Sequence, residues 1–529
     1  MRSIPLLVLL QAAALVGCGD DGSGGAGATG GAGAAGGAGA SAAGGAGGTG
    51  GTPLPQKGLG EPCTDELECE AGYCVDGVCC GGTCTGLCVS CGIAGFEGQC
   101  SPIPIGEDPD DECGDGVCDG LLQCASGAHV FSHAFGSAEI DLAHTVSTDS
   151  AGSIYILATI HGPVDFGGGS LNVVGQEALA IAKLSPTGAH LWSRVVPGTF
   201  GSATLSADDA GVTLATELTG AADFGLGPIT PSSGVGSAVA RFDPAGAAMW
   251  SRALDARALA ATRDTAGNIV VVGAVPDGGV LGGAPITTSG LEDAFILELA
   301  SATGDPVDED VRGGDADDAY THVTAEASGG LFLGGTFTSS TIAFEKTLTL
   351  KGTRDAFFVQ VSAAGVPMSS FQYGASGKDS AIGGITLTQT GPVLASTLDT
   401  ATTVRQLTFE LASVWQKTFP VPLTGLVADL GSSLVITGAF SGTITLGGKQ
   451  FSTATPGDTD GFVAKLTPLG ELVWFHPLAG AGVASGPSLA VPLTRHALVL
   501  STFDGDVTLG GESLVSAGAS DVVVGKLEP

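Results

Sequence analysis

Short apolar segments separated by turn-forming residues recur from residue 127 to the C-terminus. SIYILATI at 153–160, NIVVVGAV at 268–275 and LVITGAF at 434–440 are examples, and a turn with adjacent glycines follows each one. Runs of about four to eight apolar, largely β-branched residues between turn signals are typical of buried β-strands. No 3.6-residue apolar periodicity is present, so the pattern predicts an all-β fold.

One phrase recurs as a predicted hairpin. IAKLSPTGAHLWSR at 181–194 and VARFDPAGAAMWSR at 239–252 align without a gap, and VAKLTPLGELVWFH at 463–476 follows the same pattern. Proline at the second and glycine at the fourth turn position suit a type I turn. All four tryptophans of the chain lie in phrases of this kind: Trp192, Trp250, Trp415 and Trp474.

The strand-like segments group into units of four. The unit repeats about every 60 residues, and four-stranded repeats of this kind indicate a β-propeller. We count seven units, which begin near Ala138, Thr199, Ala256, Thr321, Ala381, Leu426 and Pro487. A shortened fifth unit, around 390–423, leaves rings of six or eight blades open. In any such ring we expect the tryptophans in the core between blades rather than on a ligand platform.

The last unit lacks its fourth strand. It stops at DVVVGKLEP, whereas an unattached fourth-strand phrase, GAHVFSHAFG, stands at 127–136 before the first unit. A strand from the N-terminal side that completes the last blade would remove the unpaired edges of an open array. We therefore predict a ring closed by residues 127–136.

The repeats in 127–529 resemble the bacterial seven-bladed propeller repeat family that is found in exported proteins. The similarity covers roughly three quarters of the chain. It rests on phrases that are individually weak but recur in register. The resemblance implies an exported propeller of seven four-stranded blades.

The N-terminus predicts export and lipid attachment. Residues 1–17 combine Arg2 with an apolar run of about 13 residues, which suits a secretory signal and is too short to span a bilayer. The sequence LVGC that ends at Cys18 resembles the bacterial lipobox, which implies diacylglycerol on the Cys18 thiol and acyl chains such as palmitate. In that family Gly19, rather than Asp, after the cysteine implies the outer membrane. An ordinary cleaved signal with a chance cysteine is the alternative.

Residues 18–56 are almost entirely small, with repeated GGAG, and predict a flexible tether. A Gly-rich coil of this length has an r.m.s. span of about 30 to 36 Å. The tether would hold the folded part near the membrane without fixing its orientation.

Residues 57–126 contain all the cysteines other than Cys18. An even number of cysteines in an exported chain with few core-forming residues predicts a disulfide-stabilised module. Zinc binding and a redox pair at the single C-x-x-C, Cys88 to Cys91, are the alternatives. The spacing, CVDGVCC above all, resembles Cys-rich modules of surface lipoproteins from myxobacterial-type soil bacteria. The predicted disulfide set is Cys63, Cys69, Cys74, Cys79, Cys80, Cys84, Cys88, Cys91, Cys100, Cys113, Cys118 and Cys124.

Charge restricts the partners. The formal net charge is −35, with 19 basic against 54 acidic residues, and the basic residues form no cluster. A phosphate backbone or an anionic lipid surface would be repelled. We therefore exclude nucleic acid and expect membrane contact only through the lipid.

Two sets of aspartates are candidates for special roles. Asp293, Asp355, Asp460 and Asp521 each follow a Gly turn and precede a strand, where we expect them to accept backbone N–H groups, with calcium as the alternative. The loop at 304–320 lacks the spacing of a calcium loop. We expect part of it to be a solvated fourth strand of the third blade, and keep its aspartates as weak metal candidates: Asp308, Asp310, Asp315, Asp317 and Asp318.

These observations predict a surface lipoprotein with four parts: a signal peptide at 1–17, a tether at 18–56, a disulfide-rich module at 57–126 and a propeller at 127–529. We expect the propeller to bind or scaffold at the cell envelope, with a glycan or cell-surface protein as partner and without a cofactor. No catalytic motif is present, so an enzyme is not expected. The alternatives are a propeller enzyme acting on a glycan at its central funnel and a purely structural envelope protein.

Overall fold

The computed structural model describes residues 56–114, 116–120, 122–480, 484 and 486–529. The predicted signal peptide, the predicted lipid site Cys18 and residues 18–55 of the predicted tether lie outside the described residues. Within the described part, no helix is long and apolar enough to cross a membrane.

Six disulfides hold the N-terminal module together. Its regular structure is slight: a 3-10 helix at Glu66–Glu68 and three two-stranded ladders, Cys74–Val75 with Val78–Cys79, Val89–Ser90 with Ser101–Pro102, and Val117–Cys118 with Cys124–Ala125. Cys88 and Cys91 have different partners, so the C-x-x-C segment does not close on itself. The disulfides are Cys63–Cys74, Cys69–Cys79, Cys80–Cys91, Cys84–Cys100, Cys88–Cys118 and Cys113–Cys124.

The rest of the described chain forms seven four-stranded antiparallel sheets, which confirms the all-β propeller with seven blades. We number the blades in chain order and their strands from the first, innermost one to the fourth. Blades 1 to 3 contain Leu142–Thr148, Ile154–Ile160, Ala178–Leu184 and His190–Pro197; Thr199–Asp208, Gly211–Thr219, Val235–Phe242 and Ala248–Leu254; and Arg257–Arg263, Ile269–Pro276, Glu292–Leu299 and Pro306–Arg312. Blades 4 to 6 contain Asp318–Ala325, Leu331–Phe337, Asp355–Val361 and Pro367–Tyr373; Ser380–Thr388, Gly391–Leu398, Ala401–Leu407 and Ser413–Phe419; and Leu423–Ala428, Leu434–Ser441, Thr459–Leu466 and Leu472–Leu478.

Blade 7 closes the ring as predicted. Its first three strands are Ser488–Ala490, Ala497–Phe503 and Asp521–Leu527, and its fourth is His129–Phe135 from the other end of the chain. Pairing runs from Leu527 with His129 to Val522 with Phe135. We call His129–Phe135 the closing strand.

The core lies between neighbouring blades. Every residue of Ile154–Ile160 and Ala178–Leu184 is buried, because both faces of each central strand meet another blade. At the closure, Ile156 and Ala180 of blade 1 belong to one apolar cluster with Leu500 and Val524 of blade 7. Strands buried on both faces explain why the sequence shows continuous apolar runs rather than strict alternation.

The antiparallel order gives the ring two faces. The turn face carries the connections between strands 1 and 2 and between strands 3 and 4 of each blade. The loop face carries the connections between strands 2 and 3 and those between successive blades. Short hairpins extend the loop face at Val164–Asp165 with Ser170–Leu171, Ala222–Asp223 with Pro228–Ile229, Thr341–Ala343 with Thr347–Thr349, Thr443–Leu446 with Lys449–Ser452, and Asp506–Val507 with Leu514–Val515.

Tryptophans join successive blades on the turn face. The indole Nε1 of Trp192 donates to the Pro244 carbonyl, Trp250 to Ser301 and Trp415 to Pro468, each in the next blade. Each ring also covers a turn glycine; a Cβ on Gly246, for instance, would lie 2.8 Å from Trp192. The tryptophans are therefore interblade contacts, as predicted.

Candidate functional site on the loop face

The recurrent aspartates are structural. All four are buried, and they accept backbone N–H groups of the preceding turns: Asp293 from Ser289, Asp355 from Lys351 and Gly352, Asp460 from Ala454, and Asp521 from Ala517. Glycines at the ends of fourth strands make room for three of them. A Cβ on Gly136, for example, would lie 2.0 Å from the Asp521 carboxyl carbon.

The five metal candidates separate onto different elements. Asp308 and Asp310 lie on the fourth strand of blade 3, as expected, and Asp310 pairs with Arg312. Asp315 accepts the backbone N–H and the hydroxyl of Ser340. Asp317 pairs in a backbone bridge with Glu292. The structure therefore does not bring the five together at one point.

Asp318 departs from the expected solvated loop. It begins the first strand of blade 4, is 1% exposed, and accepts hydrogen bonds from the Gly314 N–H and the Ser339 hydroxyl. Burial raises the pKa of this carboxyl. The chain crosses from one blade to the next between Arg312 and Asp318, which is why neighbours in sequence differ in environment.

The disulfide module contacts the turn face at blades 6 and 7. Arg495, in the first turn of blade 7, forms an ion pair with Asp119 of the module, and its Nε lies 3.3 Å from Asp429 in the first turn of blade 6. Lys465 Nζ lies 3.1 Å from the same Asp429 carboxylate. All four side chains are more than nine-tenths buried. The module thus covers part of the turn face and leaves the loop face to other contacts.

A groove of about 490 Å³ opens on the loop face between blades 2 and 3. The start of the first strand of blade 2, including Phe200, lines one side, and the loop at 277–279 of blade 3 lines another. This blade 3 loop has only a single backbone bridge, Val280 with Pro285, where five other blades have a two-stranded hairpin. We call this feature the blade 2–3 groove.

An arginine in the blade 2–3 groove is surrounded by carboxylates. Arg257 contacts Glu292, with Nη2 2.5 Å and Nε 3.0 Å from Oε2. The hydrogen bond to Glu292 is the main cause that raises the pKa of Arg257, and the charges of Glu217 and Asp317 raise it further. One guanidinium therefore faces three nearby carboxylates.

The other carboxylates of the groove are held in place by neutral donors. Glu217 accepts the Ser202 N–H at 3.1 Å, and Asp255 accepts the Ser232 N–H at 2.5 Å together with its hydroxyl. Asp277 accepts the Thr288 N–H at 3.3 Å. These bonds fix the side chains without neutralising their charge.

Histidines line the innermost strands at separate blades. His144 lies at the bulge of the first strand of blade 1 and contacts Thr159, and His322 lies beside the corresponding bulge of blade 4. Burial lowers the pKa of His322 to about 4. In the described part of the propeller, no three His, Cys, Asp or Glu ligand atoms lie within 4.8 Å of one another. The absence of enzymatic activity stays a prediction.

Sequence reasoning missed the groove. Glu217, Asp255 and Arg257 belong to no repeated phrase, and Glu292 is only the variable residue before the recurrent Asp293, so nothing in the repeats marks the four as neighbours.

Comparison with known proteins found no matching family model and no matching curated protein. Several solved structures are similar in shape at low identity. The Pan2 WD40 domain of Neurospora crassa is 10% identical, covers 75% of this chain and 97% of its own, and has a TM-score of 0.39. BamB from Moraxella catarrhalis is 12% identical, with 75% and 99% covered and a TM-score of 0.37. The quinohemoprotein alcohol dehydrogenase of Comamonas testosteroni is 11% identical, with 74% and 76% covered and a TM-score of 0.36.

Proposed function

We propose that this protein is an exported lipoprotein, anchored to the outer membrane through Cys18, whose propeller is a binding module at the cell envelope. The observation that carries the binding function is that the two faces make different contacts. The buried ion pairs of Arg495 with Asp119 of the module and Asp429 of blade 6 hold the module against the turn face, whereas the blade 2–3 groove opens on the opposite face. A groove of this volume is within the range of about 300 to 1,000 Å³ that is usual for ligand sites.

The anchoring part rests on residues 1–18. The signal-like segment and the lipobox-like LVGC imply acylation of Cys18. A single attached lipid with several acyl chains would provide stable membrane association, because each buried CH₂ contributes about 0.8 kcal/mol.

Anchoring is tested by detergent-phase partition and radiolabelled palmitate incorporation of the full chain expressed in a Gram-negative host. We expect the wild type and a Ser23→Ala control to label and to enter the detergent phase, and Cys18→Ser to do neither. Equal partition and labelling of Cys18→Ser would contradict the anchor.

Binding is tested with the detergent-solubilised full chain on immobilised glycans and peptides. We expect saturable retention that is lost in a loop-face variant, Asp255→Asn. Glu410→Gln, on the turn face, is the control. If it reduces retention as much as Asp255→Asn does, a loop-face site is contradicted.

A further inference from the structure

The blade 2–3 groove carries an excess of negative charge. Four carboxylates line it, Glu217, Asp255, Asp277 and Glu292, against the single guanidinium of Arg257. Asp317 adds a further negative charge beside Arg257. A bound cationic group would offset this excess, whereas a bound anion would meet repulsion at about 4 to 6 Å from several carboxylates.

The groove also has an apolar floor. The buried Ala256 forms it, beside the partly exposed Pro276, and this suits the aliphatic stem of a long basic side chain. Phe200 also lies along the groove, but its ring packs against Phe224 in the apolar cluster between blades 1 and 2.

Groups around the groove can also bond a peptide backbone. Ser233 and Thr219 line it, and Ser233 is exposed beyond its local contact with the Val235 carbonyl. Hydroxyls of this kind donate to or accept from amides without adding charge.

We propose that the blade 2–3 groove binds a peptide segment that carries lysine or arginine, with one basic side chain between Glu217 and Asp255. This inference rests on the proposed binding function and names the partner's chemistry: a basic segment of a protein. Charge complementarity is the argument for this occupant over a neutral glycan.

The test is calorimetric titration of the full chain with an acetylated tri-arginine peptide. A tri-glutamate peptide and a neutral oligosaccharide, cellohexaose, are titrated in parallel. We expect saturable binding of tri-arginine alone. Affinity should fall as salt is raised from 50 to 500 mM, since the Debye length shortens from about 14 to about 4 Å over that range.

A matched pair of variants separates a site from general attraction to an acidic protein. Glu217→Gln keeps an acceptor for the Ser202 N–H and removes one charge from the groove. Glu410→Gln removes the same charge from an exposed position on the turn face, in the turn between strands 3 and 4 of blade 5. We expect Glu217→Gln to weaken tri-arginine binding about fivefold, the loss of one partly exposed ion pair, and Glu410→Gln to leave it unchanged.

Three results would overturn the inference. They are no binding of tri-arginine, an equal loss in the two variants, and binding of tri-glutamate with similar affinity. Binding of cellohexaose that Glu217→Gln weakens, without binding of tri-arginine, would overturn the basic partner while leaving the proposed loop-face binding function standing.

Discussion

At the scale of single residues, folding changes the ionisation of several buried and partly buried side chains. Burial lowers the pKa of His322 to about 4, whereas it raises the pKa values of the carboxyls of Asp318, Asp460 and Asp521. The two kinds of group respond to acid in opposite directions. The carboxyls contribute stability below their unfolded pKa near 3.9, and this contribution is lost as pH rises through their folded values.

His322 carries a pH prediction. Its stabilising contribution is present above its unfolded pKa of about 6.5 and is lost as pH falls to about 4, because only the unfolded chain takes up the proton in that window. We expect the thermal unfolding midpoint of His322→Asn to fall by less than that of the wild type when the pH is lowered from 7 to 4.5. A titration of the His322 ring by NMR with a midpoint near 6.5 would contradict the burial argument.

The tryptophans give a second prediction at this scale. Trp250 Nε1 donates to the Ser301 carbonyl at 2.8 Å, whereas Trp474 Nε1 is buried without an acceptor among the described residues. A net hydrogen bond contributes about 1 kcal/mol. Denaturant unfolding should therefore show that Trp250→Phe is destabilised by about 1 kcal/mol more than Trp474→Phe, the matched control. Equal losses would show that ring packing alone matters.

At the scale of elements, the reason for the unpaired Trp474 is the closure of the ring. In other blades the acceptor lies in the turn between strands 3 and 4, but blade 7 has no such turn, because its fourth strand comes from the other end of the chain. Gly127 still occupies the glycine position of that turn, and a Cβ there would lie 2.7 Å from the Trp474 ring. Residues 127–136 thus pack against blade 6 as a turn between strands 3 and 4 would, although no peptide bond joins these two strands in blade 7.

The closing strand carries the next prediction. Deletion of residues 127–136 should leave Asp521–Leu527 as an unpaired edge and lower the thermal midpoint far more than deletion of the module, residues 57–126. The physical reason is loss of the ladder with His129–Phe135 and of the packing around Phe135. Calorimetry of both deletions measures it, and equal effects would contradict closure.

Much at this scale was predictable from the sequence because six of the seven blades are each formed by one continuous segment. Turn residues, apolar runs and recurrent aspartates are read within about 60 residues, and the missing fourth strand followed from the count. The shortened fifth unit is explained by its direct turn between Gly391–Leu398 and Ala401–Leu407, which replaces a loop-face hairpin. The groove was not predictable, since Glu217 and Arg257 meet only through the packing of blade on blade.

At the scale of the whole molecule, the module and the propeller are joined by buried charge. Arg495 takes a left-handed φ of 68° at a turn position where blades 1 and 3 have Gly152 and Gly267. A non-glycine residue pays about 1 to 2 kcal/mol for that conformation. The contacts with Asp119 and Asp429 offset this strain.

Substitution of Arg495 tests this contact between the module and the propeller. Arg495→Met should destabilise by about 3 to 5 kcal/mol, because it takes the guanidinium from between two buried carboxylates. Limited proteolysis near residues 126–128 should also become faster as the module detaches. Arg354→Met, which breaks an exposed pair with Asp379, is the control and should change stability by less than about 1 kcal/mol. Proteolysis of Arg495→Met at the wild-type rate would contradict docking.

The closing strand also decides how the molecule would carry a mechanical load. Under the proposed anchorage, tension from the membrane enters through the module, where the Arg495 contact resists it first, and then reaches His129 at the turn face. A pull away from that face runs along the strand, so the pairs from His129–Leu527 to Phe135–Val522 are strained together in shear. The ring would therefore yield only when all of them fail at once, rather than being unzipped one pair at a time.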